Sequence, residues 1–301
     1  MGLCLLAKTS PGYGVEKGGM RRLRVAWLPD GKRLHLQEGV LDLIIQAFGS
    51  PPEVGRAYDA CIERARALLV ELAEELPLLQ AGKAATGAAG RRILAACEGL
   101  DVPKLAVLHG AVADELCAAM AAAGQVERAF VNNRGILSFH LAEGQSVTPR
   151  MMDWPAYQRY DVNVPLSAAL RTRGLAAAGW FYDGLALGWV NRIHVAAGSA
   201  ALAASCMGAI SVCMRPETDE STCLAEAVRP GCALGGLEIY RPVPVDGAMA
   251  AAIHARGLAA AQKLFDSGTI TLAAIELEEI YRLVAPPHYS LKVMVNLDGS
   301  A

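Results

Sequence analysis

The amino-acid sequence predicts an α+β fold, in which a mixed or antiparallel sheet packs against several helices. Segments with strand and helix periodicity follow one another without the regular strand–helix–strand order of a parallel-sheet protein. The 301 residues are 53% hydrophobic and 19% charged, so the chain can bury a large core and is not mainly disordered. Only 6% of the residues are aromatic, whereas Ala and Gly are abundant, which predicts an interior of small side chains.

The net charge and the cysteines exclude several classes of protein. A formal net charge of −2 provides no basic field for nucleic acid or an anionic membrane, so we expect neither as a partner. The 8 cysteines include no CxxC pair, and therefore no local zinc or thioredoxin-like motif. Because the N-terminus lacks the basic-then-apolar order of a signal peptide, we expect a cytoplasmic protein with free thiols.

The domain organisation predicted from the sequence is simple. Met20 stands just before two arginines and offers a second candidate start, which would make residues 1–19 a disordered leader. Residues 20–301 then form a single domain, with two tightly packed lobes as the alternative. The domain would bind a small molecule, and its Ala-rich composition is compatible with a homodimer.

The first half of the chain predicts a hairpin, two helices and a second hairpin. Residues 23–28 and 33–37 flank a Pro-Asp-Gly turn, and residues 54–76 have the apolar spacing of an amphipathic helix that Pro77 should end. A second helix is expected over 104–123, with Gly124 as its C-terminal cap. Strands are then predicted over 126–131 and 136–141, around a turn at 132–135.

The second half predicts an apolar helix and the closing strands. Residues 193–214 contain no Asp, Glu, Lys or Arg and are long enough to span a membrane. Since Ala, Gly and Ser dominate this run, its insertion would be weakly driven, and we expect a helix buried against the sheet. The remaining predictions are a helix over 247–267 and strands, which cover 236–245, 270–277 and 289–297.

Several segments, in order and spacing, resemble the ApbE-like superfamily of bacterial and archaeal proteins, relatives of the FAD:protein FMN transferases. They are LPDGKRLHLQEGVLDLII at 28–45, KLAVLHGAVADEL at 104–116, VERAFVNNRGILSFHLAEGQS at 126–146, LAAAGWFYDGLALGWVNRIHVAAG at 175–198, and the region 236–277. The resemblance covers nearly the whole chain after Met20 and implies a layered ApbE-like fold. It says less about activity, because one fold serves many reactions.

The chain departs from the family where the family carries acidic residues. An Asn-Asn-Gly-Gly-Asp motif is replaced by a segment that ends in Arg134, Gly135 and Ile136, and the Asp of a Gly-Ile-Ala-Asp motif is replaced by Asn191. An Ala-Asp pair with Thr four residues later is matched by Ala201 and Ser205. Because divalent metals are held chiefly by anionic oxygens, we expect no metal site, no FAD or FMN cofactor and no FMN transfer.

Reactive side chains stand near the same motifs and are the catalytic candidates. His109 and His194 replace small or neutral residues, and a nearby carboxylate such as Asp183 would suit a His to general acid–base catalysis. Cys206 is a candidate nucleophile if an imidazole lies beside it. The alternatives are structural: a core histidine bonded to a backbone carbonyl, and a cysteine that packs as a small hydrophobe.

The candidate binding residues offer amide, cationic, aromatic and hydroxyl groups near these motifs. They are Asn132, Asn133, Arg134, Trp180, Tyr182 and Ser205. The alternatives are a turn role for the asparagines, an exposed turn position for the arginine and core packing for the aromatic residues.

Two functions of different classes follow from these residues, and a residual flavin-binding or flavin-transferring protein ranks third behind them. The first is a metal-independent enzyme, a hydrolase or isomerase, that acts by acid–base or nucleophilic chemistry on a small anionic or heterocyclic metabolite. The second is a non-catalytic binding or scaffolding subunit that has lost the metal site. The two differ in whether the candidate residues converge on one site.

Overall fold

The computed structural model describes residues 23–38, 41–148, 158–162, 165–179, 190–215, 247–277, 280–287, 289 and 291–295. The first strands and helices are β1 (Arg24–Trp27), β2 (Leu34–Glu38), β3 (Leu41–Phe48), α1 (Pro51–Gln80), α2 (Ala88–Ala96), a 3₁₀ helix (Lys104–Val107) and α3 (Leu108–Ala123). The following strands are β4 (Arg128–Asn133), β5 (Ile136–Leu141), β6 (Ser146–Val147), β7 (Gln158–Val162), β8 (Leu166–Ser167), β9 (Gly174–Ala178) and β10 (Arg192–Ala197). The last elements are α4 (Ala200–Cys213), α5 (Gly247–Asp266), β11 (Ile270–Leu277), β12 (Ile280–Val284) and β13 (Leu291–Val295).

One large antiparallel sheet organises the described chain and confirms the predicted fold class. Nine strands lie in the order β1-β2-β3-β4-β5-β9-β10-β11-β12, and every neighbouring pair is antiparallel. Two short ribbons, β6–β8 and β7–β13, stand apart from this sheet. The fold is therefore α+β, with helices layered on a sheet, as the sequence predicts.

The helices cover one face of the sheet, which we call the helix face. Alternate residues of each strand point toward them, for example Leu34 and Leu36 of β2 and Ile193 and Val195 of β10. Helices α1 to α5 all contribute side chains to this core, many of them alanines. Small side chains let helices and strands approach closely, so the Ala-rich composition has its explanation here.

The opposite face of the sheet, which we call the second face, carries a smaller apolar cluster. Phe130, Leu137 and Phe139 lie in it, with Leu166 of β8 and Leu272 of β11, and none of its described members is helical. Along β2 and β3 the side chains on the second face are only half-buried. They alternate with the fully buried leucines, which point to the helix face. The described residues thus leave polar groups accessible at that end of the sheet.

Two predicted helix boundaries differ from the structure. Helix α1 continues through Pro77 to Gln80, because a proline in the last turn removes only one hydrogen bond of the ladder and leaves the later ones intact. Gly124 follows α3 in an extended conformation, and not in the left-handed conformation of a glycine cap. A Cβ atom on Gly124 would lie 3.0 Å from the Glu53 carbonyl oxygen, so close packing explains the glycine there.

The apolar run at 193–214 is not one helix. Its first residues form β10 in the middle of the sheet, and α4 begins only at Ala200, which makes the helix too short to span a membrane. The prediction of a continuous helix was wrong because a fully buried strand and a buried helix both appear as unbroken apolar sequence. Among the described helices, Lys104–Ala123 is long and apolar enough to cross a membrane. However, 72% of its most apolar stretch is buried inside the protein, as in the core helix of a soluble domain.

A buried carboxylate fixes the start of α4. Asp114 of α3 accepts hydrogen bonds from the Ser138 hydroxyl (2.7 Å) and from the backbone N–H groups of Ala200 and Ala201 (both 2.9 Å). The first N–H groups of a helix have no partner within the helix, so this carboxylate satisfies two of them inside the core. Burial raises the pKa of Asp114, while these hydrogen bonds act in the opposite direction.

Close backbone approach supports the same junction. A Cβ atom on Gly110 would lie 2.5 Å from the Ala200 carbonyl oxygen, and one on Gly174 would lie 2.1 Å from the Ala200 N. Both contacts are with backbone, which cannot move aside cheaply. Helix α3, strand β9 and helix α4 therefore meet at glycines, and the Asp114 carboxylate joins the two helices.

We expect Asp114→Ala to lower the free energy of unfolding by about 3–5 kcal/mol, because two buried N–H groups and one hydroxyl lose their acceptor. Asp114→Asn keeps one acceptor oxygen and should lose less. Urea denaturation followed by circular dichroism measures both, with the exposed Glu74→Ala as a control that changes stability by less than about 0.5 kcal/mol. A wild-type midpoint in Asp114→Ala would contradict this account of the junction.

Candidate functional site

The hairpin between β4 and β5 ends in a tight two-residue turn. Asn133 pairs with Ile136, so Arg134 and Gly135 alone form the turn, and the two asparagines belong to β4. Arg134 has φ 54° and Gly135 has φ 89°, the left-handed values of a type I′ hairpin turn. The prediction of a four-residue turn was thus too long.

The two asparagines of this hairpin have different structural partners. The Asn132 Oδ1 accepts a hydrogen bond from the Gly135 N–H at 2.9 Å and so closes the turn. Asn133 is fully buried, and its Oδ1 accepts from the Asp42 N–H while its Nδ2 donates to the His109 carbonyl oxygen, both at 3.3 Å. Asn133 therefore ties β3 to the first turn of α3, and its role is structural.

A histidine–aspartate pair that the sequence analysis did not identify lies beside this hairpin. The His35 Nε2 and the Asp42 Oδ1 are 2.6 Å apart, and the two side chains are 30% and 31% exposed. Strand β2 pairs with β3, which brings the two residues to neighbouring strands on the second face. A carboxylate only accepts hydrogen bonds, so the Nε2 is the nitrogen that donates in this pair, and the Nδ1 points away from it.

The sheet register places this pair next to the residues of the β4–β5 hairpin. His35 lies opposite Ile44, and Ile44 lies opposite Asn132, so the three line up across β2, β3 and β4. Asn133 lies opposite Leu43, so Arg134, the next residue and the first of the turn, comes beside Asp42. We call the group His35, Asp42, Asn132 and Arg134 the polar corner.

Farther along the second face, the structure buries a second group of ionisable side chains. Arg192 of β10 lies opposite Glu276 of β11 and binds its carboxylate through two N–H groups, one of them at 3.0 Å. His194 is two residues away on the same face, and burial together with the Arg192 charge lowers its pKa to about 3. His194 is therefore neutral at physiological pH and is surrounded by protein, as a structural histidine would be.

The three predicted catalytic residues that the structure describes lie on two different sides of the sheet. His109 belongs to α3 and Cys206 to α4, and both helices pack on the helix face. His194 alternates with Ile193 and Val195, which point to the helix face, so it points to the second face. The sheet separates His194 from Cys206, and Asp183 lies outside the described residues.

Cys206 does not have the environment of a nucleophile. It is fully buried in the core, and burial raises the pKa of its thiol to about 12. The neutral thiol packs as a small hydrophobe, which was the structural alternative. Of the predicted binding residues, Ser205 is also fully buried on α4, whereas Trp180 and Tyr182 lie outside the described residues.

The side chains at the positions where the family resemblance implies acidic ligands do not fit a divalent cation. Ile136 and Ala201 have no side-chain donor, and the nearby Asp114 carboxylate already accepts three hydrogen bonds. Within the described ranges, no three His, Cys, Asp or Glu side chains gather to hold a metal ion. Hard cations need several free oxygen ligands, which these residues do not supply.

Comparison with known proteins decides the family. A family model described as AbpE bacteria matches residues 25–283. The chain belongs to this family. The resemblance to ApbE-like proteins that the sequence motifs indicate is thus confirmed, and the match includes the polar corner. No curated protein matches this ApbE-like chain.

Two solved structures of ApbE proteins are among those similar to this chain. One is the flavin transferase ApbE from Vibrio cholerae, H257G mutant, with 11% identity, a TM-score of 0.34, and coverage of 89% of this chain and 98% of that one. The other is the apo form of the Pseudomonas stutzeri flavinyl transferase ApbE, with 10% identity, a TM-score of 0.35, and coverage of 88% and 94%.

We expect native Cys206 to resist alkylation, because iodoacetamide reacts with an accessible thiolate and this thiol is buried and protonated. Cys213 on the same helix is exposed and should react within minutes at pH 8. Peptide mass spectrometry compares the two sites in one sample, and Cys206 should react only in urea. Equal labelling of both cysteines in the native protein would restore Cys206 as a nucleophile.

The burial of His194 predicts a loss of stability in acid. Its folded-state pKa of about 3 lies below the ordinary value of 6.5, so the unfolded chain takes up the proton first as the pH falls. The free energy of unfolding should fall by about 1.4 kcal/mol per pH unit from pH 6.5 toward pH 3. Denaturation curves at several pH values should show this slope reduced in His194→Gln, and less so in His140→Gln, since His140 is only half-buried. If the free energy of unfolding changed with pH by the same amount in wild type and His194→Gln, the lowered pKa of His194 would be contradicted.

Proposed function

We propose that the protein is a metal-independent enzyme that isomerises or hydrolyses a small anionic or heterocyclic metabolite by acid–base chemistry at the polar corner. The observation that carries the proposal is the His35–Asp42 pair, with 2.6 Å between its Nε2 and Oδ1 atoms and about one-third exposure. An oriented histidine that solvent and ligand can reach is the usual general base. His35 replaces His109 and His194 in this role.

The pair supports proton transfer in a defined direction. The Asp42 carboxylate holds the Nε2–H of His35 and stabilises the imidazolium that forms when the Nδ1 accepts a proton. Returning that proton to another atom of the substrate is an isomerisation, and it requires no further reactant. Activation of a water molecule by the same Nδ1 would lead to hydrolysis.

The rest of the polar corner supplies binding groups. Arg134 is a permanent cation at the end of the hairpin, and its planar guanidinium suits a carboxylate or phosphate. The Asn132 side chain lies on the second face in line with His35, although its oxygen is engaged by the Gly135 N–H. These groups favour an anionic substrate over a neutral one.

The alternative is a non-catalytic binding or scaffolding subunit. It is favoured by the positions of His109, His194 and Cys206, which the sheet divides between two faces. Under this alternative the polar corner binds a ligand without turning it over. The two functions therefore share a binding site and differ in the need for His35 as a base.

The test measures proton exchange and turnover. Purified protein is incubated in D₂O with a panel of small carboxylates and nitrogen heterocycles, and NMR follows deuterium incorporation and product formation. We expect at least one compound to react, and His35→Gln and Asp42→Asn to lower kcat at least about a hundredfold, since general-base catalysis contributes that much. His140→Gln is the matched control, because its half-buried ring lies on β5 outside the polar corner.

Three results separate the candidate functions. Loss of turnover in both polar-corner variants, with the His140→Gln rate unchanged, supports the enzyme. Binding without exchange or turnover, detected as a rise in Tm that Arg134→Gln abolishes, supports the non-catalytic subunit instead. Turnover that survives His35→Gln would overturn the assignment of the base.

A further inference from the structure

We infer that the polar corner takes a substrate with two anionic groups, held by Arg24 on one side of His35 and by Arg134 on the other. The inference rests on the proposed function, because it identifies the substrate class of the same site. It names Arg24 as a binding residue that sequence analysis did not single out. Its basis is the order of side chains across four neighbouring strands.

The register places these groups in one row on the second face. Arg24 of β1 lies opposite Gln37 of β2, and Gln37 lies opposite Asp42 of β3. Arg134 comes directly after Asn133, which pairs with Leu43, so it lies in the turn beside Asp42 at the end of this row. Residues directly opposite in antiparallel strands point to the same face, so Arg24 points to the side that carries His35 and Asp42.

The spacing of the strands gives the dimension of this row. Adjacent strands lie about 4.8 Å apart, so the backbones of Arg24 and Arg134 are separated by about 14 Å, with His35 and Asp42 on the two strands between them. Arginine side chains are long and reach along a surface. An extended molecule with an anion at each end engages both guanidinium groups when the two side chains stay apart, and it then crosses the strands that carry His35 and Asp42.

Both arginines are available for a ligand. Among the described residues, neither the Arg24 nor the Arg134 guanidinium has a hydrogen-bond or ion-pair partner in the structure. By contrast, the Nε of Arg33 on the neighbouring turn lies 2.5 Å from the Asp30 carboxylate. The Asp42 charge is engaged by His35. The row therefore has two uncommitted cations and no uncommitted anion among the residues named.

Dicarboxylates and phosphonocarboxylates share this chemistry, and the experiment separates them. Isothermal titration calorimetry measures binding of malonate, succinate, glutarate and adipate, of 3-phosphonopropionate, and of acetate and butyrate as singly charged references. Binding of a dianion should be at least about fivefold tighter than binding of either reference, since one exposed charge pair contributes up to about that factor. A preference among the chain lengths reports the separation of the two guanidinium groups.

Single substitutions then assign the two ends. Arg24→Gln and Arg134→Gln should each reduce dianion affinity about fivefold, to the level of the monoanions, and leave monoanion binding at the other end within about twofold. Arg66→Gln is the matched control, because Arg66 is exposed on α1 and lies outside the polar corner. The Arg66→Gln variant should bind the dianions with wild-type affinity. Raising the salt concentration should weaken dianion binding more than monoanion binding.

The outcomes distinguish this inference from the proposed function. Equal affinity for monoanions and dianions, or an Arg24→Gln variant with wild-type dianion binding, overturns the two-anion inference and leaves His35 catalysis intact. Dianion binding that needs both arginines, without turnover in the NMR assay, supports the inference and contradicts the enzyme. Binding of none of these anions overturns the inference, because both guanidinium groups are then unused.

Discussion

The fold depends on the hydrogen bonds of the Asp114 carboxylate. One buried side chain on α3 satisfies the first N–H groups of α4 and the Ser138 hydroxyl of β5, and so links two helices to the centre of the sheet. A helix that starts inside the core would otherwise leave N–H groups without partners, at a cost of about 1–3 kcal/mol each. Because Asp114 caps α4, both of its carboxylate oxygens already accept hydrogen bonds inside the core.

This junction is one reason why we place the proposed chemistry on the second face. On the helix face the described polar groups are engaged in the fold, as with Asn133, or are neutral and buried, as with Cys206. The second face has no described helix over β2 and β3, and its side chains there stay half-exposed. The polar corner therefore combines access to solvent with the Arg134 charge, which can bind a ligand. Elsewhere on that face, Arg192 and Glu276 neutralise each other in a buried pair, which is costly to break but leaves no charge for a ligand.

The sequence predicted local elements well and long-range contacts poorly. The alternation at 34–38, the helix at 247–266 and the strand at 270–277 follow from periodicity, because each pattern reports which side of an element is buried. His35 and Asp42 were missed because their contact depends on the pairing register of β2 and β3, and periodicity gives the face of a residue without giving its partner. Asp114 was missed for the same reason, since its partners lie in β5 and α4. The family motifs located the β4–β5 hairpin correctly but could not show that Asn133 is buried and structural.

The His35–Asp42 pair differs from most exposed side-chain pairs in how the backbone of its two residues is held. A surface pair between flexible side chains adds little to the free energy of unfolding, because ordering the two side chains costs nearly as much free energy as their contact gains. Here both residues lie in paired strands, and the Asn133 side chain also binds the Asp42 N–H and the His109 carbonyl oxygen. The carboxylate is therefore positioned through β4 and α3 before any ligand arrives, and the ring needs little further ordering. An imidazole that is oriented by rigid strands and still one-third exposed meets the two requirements of the base that we propose, which are fixed geometry and access to the substrate.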